Sequence, residues 1–127
     1  MNSDGSLRAD GAGFGGVVRD HGGHVNIAFS GGRKYTNILM LELEGILNGV
    51  KIMRQVQYWR IWIESASQRA VNALLGTEMG PWYSLNMTAE ILEELQGFEH
   101  YRIEHCRREC NTVADFLAKV IVDSNVI

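Results

Sequence analysis

Proline occurs once in this 127-residue chain, at Pro81, and cysteine twice, at Cys106 and Cys110. Two cysteines exclude a scaffold built on disulfides. Reduced thiols in the cytosol or nucleus are the expectation, because the polar, glycine-containing start lacks the apolar core of a signal peptide. No apolar run approaches the roughly 18 residues of a membrane-spanning helix. Basic residues number 12 against 15 acidic, a net charge of −3. That balance excludes a protein that coats nucleic acid through bulk positive charge, and leaves only a local basic face for such a role. The His105, Cys106 and Cys110 cluster lacks a second Cys/His pair elsewhere at structural-zinc spacing, which sets a zinc reading aside.

Hydrophobic content of 46% and charged content of 21% are those of a water-soluble globular chain. The length suits one domain with a real core, residues 1–127, with the monomer as default. No internal repeat, low-complexity segment or linker divides it. Residues 1–5 read as a short first strand, apparently truncated, ending near Asp4. Phe14–Arg19 and Val25–Phe29 read as a hairpin, with Asp20-His21-Gly22-Gly23-His24 as its turn. From Asn37, a plausible N-cap, apolar residues fall at three- and four-residue spacing, which predicts a helix of about five turns. Tyr58–Glu64 reads as a central strand covered on both faces. A helix follows over Ser67–Leu75, another over Trp82–Leu95 with Glu90, Glu93 and Glu94 in water, and a strand over His100–Cys106. A last helix runs from Thr112 to about Val122, capped by Asn111. This order predicts an α/β fold, a mixed five-stranded sheet with an antiparallel start, covered by helices. The aromatics Trp59, Trp62, Trp82 and Tyr83 are expected in the core or an interface.

Four places in this layout bring acidic groups to one end of the sheet: Asp4, Glu42 early in the long helix, the Glu64-Ser65-Ala66-Ser67 turn, and Asp115 near the start of the last helix. Open α/β sheets place their sites at strand ends beside helix starts, and clustered oxygen ligands suit Mg²⁺. Taken singly, each has a plain structural explanation. Asp4-Gly5 is a common turn pair, and Glu42 and Asp115 complement helix dipoles.

The blocks "SDGSLRADGAGFGGVVRDHGG", "LELEGILNGVKI", "IWIESASQRAV" and "IEHCRRECNTVADFLAK" resemble, in order, those of a type-1 ribonuclease H domain. The nearest likeness is to the plant subgroup found alone or attached to retroelement reverse transcriptases. The resemblance runs from about residue 3 to residue 119. Its most specific part is the pattern H-x-x-R-E-x-N-x-x-A-D-x-L-A, met by His105, Arg108-Glu109, Asn111, Ala114-Asp115 and Leu117-Ala118.

The resemblance implies a ribonuclease H-like fold and hydrolysis of the RNA strand of RNA–DNA hybrids. Four carboxylates hold two Mg²⁺ ions in that family, with Mn²⁺ as the alternative, and the ions clamp the attacking and leaving oxygens. Asp4, Glu42 and Asp115 match three of the four, with Glu44 ranked second to Glu42. His105 matches a histidine assigned to proton transfer or product release. The family's third ligand is an aspartate at the end of the central strand, where this chain has Ala66. Weak or absent hydrolysis is therefore expected. The alternative is an inactive nucleic-acid- or protein-binding module, or a degenerate retroelement remnant. A hybrid would be gripped through phosphates and 2′-hydroxyls. Arg33, Lys34, Arg69, Arg107, Arg108, Asn111 and Asn48 are the candidate contacts.

Overall fold

The strongest apolar periodicity in the chain makes its longest helix, α1, Ile38–Gln55. Leu39, Leu43, Ile46, Leu47, Val50 and Met53 are all buried along it. Asn37 starts the helix as expected. Its backbone is extended, and its side-chain oxygen accepts the Met40 N–H at 2.9 Å, satisfying one of the otherwise orphaned amides of the first turn. The structure, a computed structural model, describes residues 1–8, 11–19, 25–33, 37–57 and 60–106.

Three strands precede α1: β1 (Asn2–Arg8), β2 (Gly11–Arg19) and β3 (Val25–Arg33). They form an antiparallel meander, with Asp4 opposite Gly15 and Val17 opposite Ala28. β1 runs on to Arg8, so Asp4 lies inside a strand and not at its end. A strand ending at Gly5 is what the low strand propensity of glycine predicts. The ladder needs only backbone groups and continues through it, pairing Gly5 with Phe14 and Ser6 with Gly13. The hairpin turn at 20–24 and the final helix, with its Asn111 cap, lie outside the described residues.

After α1 come β4 (Arg60–Ser65), α2 (Gln68–Leu75), a 3-10 turn (Trp82–Ser84), α3 (Leu85–Leu95) and β5 (His100–His105). The sheet order is β3-β2-β1-β4-β5, and β4 pairs in parallel with both β1 and β5. The mixed five-stranded sheet is as expected. Among the described residues no helix is long and apolar enough to cross a membrane.

One face of β4 carries Ile61, Ile63 and Ser65, all buried, against a core of Leu43, Ile46, Val50, Val71, Ile91, Leu95 and Ile103. The expectation that β4 is covered on both faces fails at Trp62. This residue is 49% exposed, and the Arg102 guanidinium sits 5.1 Å above its ring. An aromatic face can satisfy itself with a cation as well as with burial. Trp82, 83% exposed, and Tyr83 also stand outside the core, meeting edge-on at 5.9 Å. Trp59 lies outside the described residues. The segment before α3 departs from the expected continuous helix. Pro81 precedes a 3-10 turn in which the Ser84 hydroxyl donates to the Pro81 carbonyl at 2.7 Å, and regular α-helix begins at Leu85. Two of the glutamates expected in water are paired across to α1, Glu90 with Lys51 at 3.2 Å and Glu94 with Arg54 at 2.9 Å.

Burial separates these contributions. Truncating Ile63, fully buried on the central strand, leaves a cavity and costs about 3 kcal/mol. Lys51→Ala breaks an exposed ion pair and costs less than about 1 kcal/mol. Urea unfolding of the two variants should show a large midpoint shift for Ile63→Ala and almost none for Lys51→Ala. Equal shifts would contradict the burial assignment.

Candidate metal and nucleic-acid site at the end of the sheet

The site is built where β4 stops. Its last residue, Ser65, is fully buried, and the Ser65 hydroxyl oxygen accepts the Ser67 N–H at 3.1 Å. That bond turns the chain in two residues. Ser67 then caps α2, accepting the Ala70 N–H at 3.1 Å. On the other side, the Ser65 carbonyl accepts the Cys106 N–H at 2.9 Å, which ties the end of β4 to the end of β5. Ala66 sits half-buried at the apex of this turn. Its carbonyl oxygen lies 3.2 Å from Nε2 of His105, an exposed side chain at the end of β5.

Register brings the other elements to the same level. Ser3 pairs with Ser65 and Ser65 with His105. Continuing the parallel β1–β4 register by one residue sets Asp4 level with Ala66. Only residues 56–59 join α1 to β4, so α1 runs back antiparallel to the strand. About 27 Å of helix against about 20 Å of strand places the first turns of α1 at the Ser65 end. Glu42, in the second turn, is therefore at this end and is buried, 6% exposed. Glu44 is buried to the same degree, so burial does not separate the two. Asn48 is exposed further along α1, and its amide donates to the Glu44 carbonyl at 2.9 Å. Arg69 is exposed in the first turn of α2, beside the Ala66 turn. Arg33 is the last residue of β3, opposite Ala12, away from the β4–β5 end of the register. Lys34, Arg107, Arg108, Asn111 and Asp115 lie outside the described residues.

A family model described as reverse transcriptase-like matches residues 2–121. The chain belongs to that family. This reverse transcriptase-like domain also has the ribonuclease H-like fold. Ribonuclease H1 from the halophilic archaeon Halobacterium salinarum NRC-1 superposes with a TM-score of 0.91 at 21% identity, covering 97% of this chain and 96% of that one. The N-terminal ribonuclease H domain of Rv2228c from Mycobacterium tuberculosis gives 0.90 at 20% identity, covering 97% and 91%. LC11-RNase H1, solved in complex with an RNA/DNA hybrid, gives 0.89 at 20% identity, covering 99% and 97%. Comparison with curated proteins by sequence finds no match.

Against the four-carboxylate pattern that the resemblance implies, position 66 does not fit. Position 66 offers a methyl group, which coordinates nothing. Among the described residues no three His, Cys, Asp or Glu side chains converge to hold a metal. The contact between His105 and the Ala66 carbonyl was not foreseen. Its only sequence signal is that both residues end adjacent strands, and strand order is not written in either segment.

The turn itself depends on its serines. Ser67→Ala removes the cap of a helix only eight residues long and costs about 1 kcal/mol, whereas Ser67→Asp keeps an acceptor and most of that stability. Thermal melts should rank the wild-type and Ser67→Asp proteins together, with the Ser67→Ala protein below. If Ser67→Ala melts with the wild type, the cap contributes nothing.

Proposed function

We propose that this chain is a ribonuclease H-like domain that binds an RNA–DNA hybrid across the end of β4 and hydrolyses its RNA strand only weakly. The observation that carries the reading is the register of Asp4, Ala66 and His105 at one sheet end, with Glu42 delivered by α1 and a methyl at the centre. The hybrid-bound LC11-RNase H1 supports the substrate class.

The binding side follows from exposed groups. Arg69 adds a full positive charge at the N-terminal end of α2, whose backbone dipole already favours a phosphate. Asn48 presents an amide for sugar or phosphate contacts on α1. Arg33, Lys34, Arg107, Arg108 and Asn111 are proposed as further contacts. With more acidic than basic residues overall, affinity is modest and its salt dependence shallow.

The chemical side is weakened at one point. Asp4, Glu42 and Asp115 are the remaining carboxylates of a set proposed for divalent cations, Mg²⁺ or Mn²⁺, and the fourth is gone. Losing a charged ligand costs about 4 kcal/mol of transition-state stabilisation, or about a thousandfold in rate. The same methyl supports a second reading, a module that binds but does not cut.

Two measurements test this. Fluorescence anisotropy with a labelled hybrid should show binding that Arg69→Ala weakens alike for every sequence. Cleavage in Mg²⁺ should rise about a thousandfold in Ala66→Asp. A native chain that cuts as fast as Ala66→Asp would sink the impairment, and no hybrid binding at low salt would sink the substrate class.

A further inference from the structure

The link between α2 and α3 puts large apolar side chains into water. Leu75, Met79, Trp82, Tyr83 and Leu85 are all exposed, Met79 to 89%. Together they present on the order of 500 Å² of apolar surface, a size at which a patch marks an interaction site. The backbone beneath holds them there. The Asn72 carbonyl accepts the N–H groups of Thr77 at 3.0 Å and Glu78 at 3.4 Å. Ser84 is buried, and its hydroxyl closes the 3-10 turn on the Pro81 carbonyl. A Cβ at Gly80 would stand 2.6 Å from that hydroxyl oxygen, so glycine is what lets the loop fold onto the turn. A surface fixed in advance loses little freedom on binding.

Charge decides what such a surface takes. From residue 70 to residue 99 there are five glutamates and no lysine or arginine. Lys51 and Arg54 of α1 answer two of them, Glu90 and Glu94. The balance still repels the phosphates of a nucleic acid or an anionic membrane. A second copy of the chain would set acidic surface against acidic surface. On α3 the exposed residues Leu85, Ala89 and Glu93 follow at four-residue spacing. They form one row about 12 Å long, apolar at its start, small in the middle and acidic at its end. Glu78 is exposed next to Met79. We infer that this patch docks a helix of a partner protein, one whose apolar stripe covers Met79, Trp82 and Leu85 and whose lysines or arginines meet Glu78 and Glu93. An amphipathic helix lays its apolar face on such a surface, and complementary charge sets its orientation. The patch starts where α2 ends, whereas Arg69 and the Ala66 turn stand where α2 begins. The partner therefore has a place separate from the one proposed for the hybrid.

The test uses the full chain and a short fluorescein-labelled peptide of leucine and lysine, patterned as an amphipathic helix. The same peptide with glutamate for lysine is the control. Anisotropy should show the lysine peptide bound at least tenfold more tightly than the glutamate peptide. The double variant Met79→Ala, Trp82→Ala should weaken the lysine peptide at least tenfold, and Glu78→Lys, Glu93→Lys should do the same. These side chains lie in water, so thermal melts of the variants should match the wild type. Should the first double variant fail to fold, Met79→Ala alone, at a position almost wholly in water, should still weaken the peptide at least threefold. Three results overturn the inference. Lysine-peptide affinity indifferent to the apolar substitutions makes the binding a matter of bulk charge. Dimers in sedimentation that Trp82→Ala abolishes make a second copy the occupant. Hybrid binding lost in Trp82→Ala, to the extent that Arg69→Ala loses it, makes the aromatic pair a nucleic-acid contact.

Discussion

The parallel pairing of β4 on both of its edges is the constraint from which the rest of this structure follows. A central strand flanked by parallel neighbours has its backbone groups satisfied on both sides, and its connections must cross over through helices. Here the crossover from the β1–β3 meander is α1, and the crossover to β5 is α2 with α3. The ladder also fixes where strands end relative to one another. Residues 3, 65 and 105 are far apart in sequence, yet the register sets them side by side. The site is a consequence of that alignment, since each strand delivers the next residue or two of its chain to the same rim.

Packing and site formation share one cause. The buried face of β4, with Ile61, Ile63 and Ser65, draws α1 onto the sheet through Leu43, Ile46 and Val50. The same docking carries Glu42 to the strand ends. Glu42 and Glu44 lie about 200° apart around the helix, yet both are buried, so the first half of α1 is enclosed on more than one side. Burying two carboxylates works against stability unless partners and the positive end of the helix offset it.

The element order over the described residues, the sheet type and the Asn37 cap were legible because each rests on local chemistry, whereas Ser67, read as the first helical residue, is the cap of α2. Apolar spacing made α1, a side-chain acceptor began α1 and α2, and a glycine at φ 76 ended α2. What was not legible depended on partners. Glycine-containing β1 looked like a stub because its pairing with β2 lies outside its own sequence. Trp62, Trp82 and Tyr83 were assigned to the core or an interface by hydrophobicity, and none of them lies in the core: a cation sits above one ring, and the others meet edge-on. Glu90 and Glu94 stand on the wet side as read, but the α1 bases that pair with them there are about 40 residues away and left no local signal. The site residues were listed from family likeness alone. The meeting of His105 with Ala66 needed the strand order.

Residue 66 shows why fold and chemistry can part at a single position. The interactions that shape the β4–α2 turn use backbone atoms or the serines on either side: the Ser65 hydroxyl and carbonyl, the Ala66 carbonyl and the Ser67 cap. None of these uses the side chain at 66. The fold is therefore indifferent to which side chain stands at position 66. A rim whose geometry is held by backbone atoms and the flanking serines keeps its shape whatever side chain stands at position 66.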